Sequence, residues 1–102
     1  MGWPEGMTVE KGLCDEARAR IINRFRRIEG QARGIQRMLA EHQDCREIIG
    51  QISALKAAVE NAGKAFLIDY VEKCLEEELA RGGDYRKTLR EALSLLLTSR
   101  LS

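Results

Sequence analysis

The chain has 102 residues, a formal net charge of +1, 44% hydrophobic residues and one proline, which is one domain with room for a small core. No apolar run approaches the ~18 residues of a membrane span. The N-terminal "MGWPEGMTVEKGL" lacks the basic-then-apolar order of a signal peptide, so a cytoplasmic location is expected.

Residues 1–14 hold Pro4 and three glycines without periodicity, and a flexible tail is expected there. The helical part should occupy 15–102. Asp15 can cap a first helix over about 15–42. In it Ile21, Phe25, Ile28, Ala32, Ile35 and Leu39 step by alternating fours and threes, an apolar a/d stripe. Gly30 and Gly34 interrupt that stripe at a cost of roughly 1 kcal/mol each relative to alanine. Either a neighbouring backbone approaches closely there or the helix kinks.

Asp44, with Glu47 three residues on, predicts a capping box opening a second helix over about 45–81. Ile48, Ile52, Leu55, Val59, Ala62 and Phe66 form its main stripe, widened by Ile49, Leu67, Val71, Cys74 and Leu75. "RGGD" ends it with glycine, and Asp84 caps a third helix over about 84–99, with Leu89, Ala92, Leu93, Leu96 and Leu97 as its apolar positions. A second helix of that length is roughly 54 Å long at 1.5 Å per residue, more than a compact 100-residue monomer can cover. The short first connection makes an antiparallel hairpin. The fold class is therefore all-α: a three-helix protomer whose antiparallel dimer forms a four-helix bundle.

The small net charge hides a segregation. Residues 18–37 hold seven arginines (Arg18, Arg20, Arg24, Arg26, Arg27, Arg33, Arg37) against one acid, Glu29. Residues 72–79 hold Glu72, Glu76, Glu77 and Glu78 against Lys73. Mixed charges usually mark a solvated face, but a predominantly basic block on one helix is also the footprint of a nucleic-acid partner.

Three cysteines in a cytosolic chain read as reactive or metal-binding thiols more than as a disulfide framework. Cys45 and Cys74 would lie on one helix, roughly 43 Å apart, and cannot meet within a chain. Across an antiparallel dimer with its two-fold near Val59 and Glu60 they can, giving two identical dithiol sites. The alternative is that both are small buried hydrophobes. Cys45 at the first helical position is the better nucleophile, because free N–H groups and the helix dipole favour a thiolate. Cys74, mid-helix and close to acids, should be the less acidic, resolving thiol. Cys14, in the tail, lacks such a setting and is taken as incidental. A thiol enzyme would need a usable histidine base and a cleft, and neither is evident.

The stretches "RRIEGQARGIQRM" and "CREIIGQIS" resemble the CsoR/RcnR family of bacterial transcriptional repressors, over about residues 17–98. The resemblance implies antiparallel dimers assembling into a homotetramer, a dimer of dimers. It also implies operator DNA binding without a helix-turn-helix, and release by an inducer at a cysteine site between protomers. Copper sensors of the family use Cys–His–Cys. The cysteines match Cys45 and Cys74, but the histidine position is Tyr70 here, and a tyrosine common before the first cysteine is Asp44. Two cysteines without that histidine resemble the CstR branch, which senses persulfides. By that resemblance Cys45 attacks sulfane sulfur, Cys74 of the partner subunit resolves it, Tyr70 and Asp44 lie near the site, and no cofactor is needed.

Cu(I) held by the Cys45 and Cys74 thiolates is the alternative, since soft ligands select it. His42, in the first connection, is a remote third ligand. Zinc would lack two of its four ligands. For DNA, Arg20, Arg24, Arg27 and Gln31 step along one face of the first helix, and Arg26, Arg33 and Arg37 form a second face. Lys56, Asn61 and Lys64 lie in the region of the second helix that the family uses. These contacts should be mostly to phosphate, with DNA shape supplying specificity.

Overall fold

The computed structural model describes residues 13–98. They form α1 (Asp15–Ala40), α2 (Cys45–Ala80) and α3 (Tyr85–Thr98), with no strand among the described residues. Each helix lies within two residues of its expected bounds. Residues 1–12 of the expected tail, and Ser99 at the expected end of the third helix, lie outside the described residues.

The helix starts correct the sequence in two places. Cys14, not Asp15, is the N-cap of α1: its backbone is extended and its Sγ accepts the Ala17 N–H at 3.4 Å. Asp15 is instead the first helical residue, where with Glu16 it complements the positive end of the helix dipole. The tail also ends earlier than expected, because Leu13 is 4% exposed. At α2, Asp44 occupies the N-cap position but its side chain makes no capping hydrogen bond, so the capping box does not form. Asp84 does cap α3, accepting the Arg86 N–H at 3.0 Å.

Both connections use the same device. After α2, Gly82 adopts φ +71, and the Gly82 and Gly83 N–H groups donate to the Leu79 and Glu78 carbonyls at 3.1 and 2.9 Å. This is a Schellman ending, whose left-handed residue is usually glycine. After α1 the same role falls to His42, at φ 56, with the His42 and Gln43 N–H groups donating to Leu39 and Met38 at 3.3 and 3.0 Å.

α1 and α2 form the antiparallel hairpin. The start of α1 lies against the C-terminal half of α2, with Leu13 and Ala17 buried on Tyr70. Ile21, Ile35, Ile48, Ala62, Leu67 and Ala92 complete the buried apolar set together with those residues. The expected stripes are only partly used within one protomer. Phe25, Leu39, Ile49, Ile52 and Val59 are exposed, as are Leu89, Leu93 and Leu97 of α3. The side chain of Leu96 lies outside the described residues. The molecule measures 59 × 27 × 18 Å, a rod set by the length of α2. Gly30 and Gly34 break nothing: α1 runs through both, and a Cβ at either would meet nothing within 4 Å. Neither a kink nor a close approach within the protomer explains them.

Candidate functional site

Cys45 is the first residue of α2 and is exposed. Cys74 is half-buried, eight turns further along the same unbroken helix (~43 Å at 1.5 Å per residue). The two thiols do not meet in one protomer, as the spacing required.

The surroundings of Cys74 are built by three elements of sequence. Tyr70 lies one turn before it, 8% exposed, with its ring stacked on Phe66 at a centroid distance of 6.4 Å. Leu13 and Ala17 cover that ring, and Cys74 packs against the same cluster. The Tyr70 hydroxyl is buried, and Cys74 is the nearest titrating group that acts on it. Burial pushes the Tyr70 hydroxyl up to about 12, and Cys74 adds to the rise. Tyr70 therefore keeps its proton at neutral pH. Burial likewise raises the Cys74 thiol above its ordinary value; Tyr70 and Arg81 oppose the rise, while Glu77 and Glu78 reinforce it. Cys74 is thus less acidic than an ordinary thiol. Within the protomer Tyr70 is part of the buried core.

Beside this cluster, Cys14, Ala17, Arg20, Asp69, Glu72, Lys73 and Glu76 line a groove of about 120 Å³. Cys14 is therefore not an incidental tail residue. Leu13, Cys14, Asp69 and Lys73 were missed from sequence. The one available signal was the pair of acids, Asp15 and Glu16, directly after "LC", which marks a helix beginning one residue earlier.

His42 is held by the backbone of the Schellman turn and is exposed. Asp44 is also exposed, next to Cys45. Among the described residues, no group of three or more His, Cys, Asp or Glu side chains is placed to hold a metal ion. Cys45 and Cys74, ~43 Å apart along α2, cannot share an ion within one protomer, and a site made of both needs a second copy.

The basic residues are spread over two helices. Arg20, Arg24, Arg27, Gln31 and Arg33 are exposed along α1, and Lys56 and Asn61 along α2; Lys64 is half-buried. Arg20 pairs with Asp69 at 3.8 Å and Arg33 with Glu29 at 3.7 Å. Among the described residues Arg24 and Arg27, like Arg26 and Arg37, take part in no ion pair, so their charge is available to an anion. No helix among the described residues is long and apolar enough to cross a membrane.

Comparison with known proteins shows the family. The family described as metal-sensitive transcriptional repressor matches residues 17–98. Copper-sensing transcriptional repressor CsoR of Bacillus subtilis (strain 168) is 39% identical over 75 residues, covering 74% of this chain and 73% of that one. Copper-sensing transcriptional repressor RicR of Mycobacterium tuberculosis (strain ATCC 25618 / H37Rv) is 38% identical over 77 residues, covering 76% and 79%. The uncharacterized protein YrkD of Bacillus subtilis (strain 168) is 33% identical over 63 residues, 62% of this chain and all of that one. No solved structure matches the chain significantly. With the family matched across all three helices and relatives aligned over most of their length, the chain belongs to the CsoR/RcnR family of metal-sensitive transcriptional repressors.

Proposed function

We propose that this repressor binds operator DNA through the basic face of α1 and is released when an effector engages Cys45 of one protomer and Cys74 of its partner. The chain is a regulator and not an enzyme. The observation that carries the thiol site is the placement of both cysteines on one continuous helix, at positions symmetric about Val59 and Glu60. An antiparallel dimer would cover the exposed Ile49, Ile52 and Val59 of that helix and bring each Cys45 beside a Cys74. A dimer of dimers would then present four basic faces to one duplex.

Two effectors suit two thiols. The sequence put sulfane sulfur first and Cu(I) second; the relatives, named as copper-sensing, support the opposite order. Cu(I) held by the Cys45 and Cys74 thiolates is therefore the leading reading, and soft two-thiolate coordination is chemically sufficient for it. Tyr70 supports the second reading. Its buried hydroxyl stands where the family's copper sensors carry histidine, and a phenol supplies no soft third ligand. In that reading the Cys45 thiolate attacks a polysulfide, displaces a shorter polysulfide and becomes a persulfide. Cys74 of the partner then attacks the Cys45 sulfur and releases hydrosulfide, leaving an inter-protomer disulfide. The polysulfide is the two-electron oxidant.

Two anaerobic measurements on the reduced protein separate the readings. A Cu(I) titration against a chromophoric chelator should give one tightly held ion per protomer, lost in Cys45→Ala and in Cys74→Ala. Intact mass under denaturing, non-reducing conditions after polysulfide treatment should give a covalent dimer only in the sulfane-sulfur reading, again lost in Cys45→Ala. Failure of both would leave a repressor whose thiols are packing residues.

A further inference from the structure

The first turn of α1 is tied to the stretch of α2 that carries Cys74. Leu13 and Ala17 are buried in the cluster against which Cys74 packs. Lys73 Nζ donates to the Leu13 carbonyl at 3.2 Å. Arg20 pairs with Asp69 at 3.8 Å, and Cys14 Sγ caps the turn through the Ala17 N–H. The polar anchors of this turn on α2, Asp69 and Lys73, and the Tyr70 and Cys74 of its apolar cluster all fall within residues 69–74, and the helix so anchored is the one bearing the arginine face.

We propose that Leu13 is a positioning residue, a latch through which occupation of Cys74 Sγ loosens the first turn of α1. A close-packed cluster cannot take an added atom without displacing a neighbour. Tyr70 is held within α2, away from either end, and stacked on Phe66. Leu13 precedes a helix end, where local opening costs least, so it is the neighbour that yields. Its departure exposes Ala17 and weakens the hold of Asp69 on Arg20. The charge distribution and order of the basic face then change without any movement of α2. This rests on the reading of Cys74 as a sensing thiol.

The test uses the full chain carrying Cys14→Ser, which retains a capping side chain, and Cys45→Ala, so that iodoacetamide alkylates Cys74 alone. Hydrogen exchange is followed by mass spectrometry. Alkylation should raise exchange at residues 15–20 at least threefold and leave residues 46–60 unchanged. Leu13→Ala should show the faster exchange before alkylation and no further rise after it, while Leu13→Met should behave as the parent. Full alkylation with unchanged exchange at 15–20 would overturn the latch. So would an equal rise across 46–60, which is general destabilisation, or resistance of Cys74 to the reagent in both the parent and Leu13→Ala. Neither effector nor operator is required, so a negative result leaves the sensing reading standing, and failure of effector binding leaves the latch standing.

Discussion

His42 and Gly82 hold equivalent places in two helix endings, and exchanging their chemistry should change stability in opposite directions. At φ 56, His42 sits in the left-handed region that costs an L-residue roughly 1–2 kcal/mol, toward the lower value because histidine tolerates it better than most. His42→Gly removes that cost but adds unfolded-chain entropy of about 0.4–1 kcal/mol. A net gain of about 0.5 kcal/mol follows, or roughly 2–4 °C in Tm for a domain of this size. Gly82→Ala does the reverse. A Cβ there meets nothing within 4 Å, so the loss of about 0.5–1 kcal/mol is conformational and not steric. Thermal unfolding followed by circular dichroism, at one fixed protomer concentration because assembly shifts Tm, measures both. A lower midpoint for His42→Gly, or a higher one for Gly82→Ala, would refute the account of the turns. If His42→Gly also loses Cu(I), the histidine is a ligand and its purely structural role is wrong.

Arg24→Ala and Arg27→Ala should each reduce the slope of log K against log salt for operator binding, by roughly 0.9 for each phosphate no longer neutralised. A filter or anisotropy titration at several salt concentrations reads this, and unchanged affinity in the double variant would sink the repressor face assigned here. Tyr70 holds its proton more tightly folded, at about 12, than unfolded, at 10.0. Its contribution to stability is therefore complete below pH 10.0 and lost as pH rises through about 12. Urea midpoints across that window should fall more steeply for the parent than for Tyr70→Phe, and parallel curves would contradict the buried hydroxyl. Asp44→Ala should cost less than about 0.5 kcal/mol because its side chain caps nothing, whereas Asp84→Ala should cost about 1 kcal/mol; equal losses in urea unfolding would reverse that assignment.

The helices were legible because apolar residues spaced by threes and fours mark their runs, and because Gly82, Gly83 and Asp84 mark the junction of α2 and α3. What the sequence hid was tertiary. Nothing in "GLCDEA" tells a solvated leucine from one that folds back onto a tyrosine 57 positions away. Capping chemistry misled for the same reason. Asp44 has the right residue type and spacing, but its carboxylate makes no capping bond, while a cysteine caps α1. The basic face was visible as a charge block; its division into Arg20 and Arg33, each ion-paired, and Arg24 and Arg27, outside any described pair, needed the partners' positions. Cys45 and Cys74 were legible as a pair because helical rise turns sequence separation into distance, whereas the choice of effector was not, since two thiols suit a soft metal and a sulfur donor alike.

The unbroken run of α2 from Cys45 to Ala80 carries a genetic consequence. Each chain lends its Cys45 to one proposed site and its Cys74 to the other. Co-expressed Cys45→Ala and Cys74→Ala chains would then rebuild one intact dithiol in every mixed dimer, and partial inducibility would return where neither allele alone responds. A chain lacking both thiols would do the opposite: paired with wild type it would leave no complete site, and its uninducible repression would be dominant.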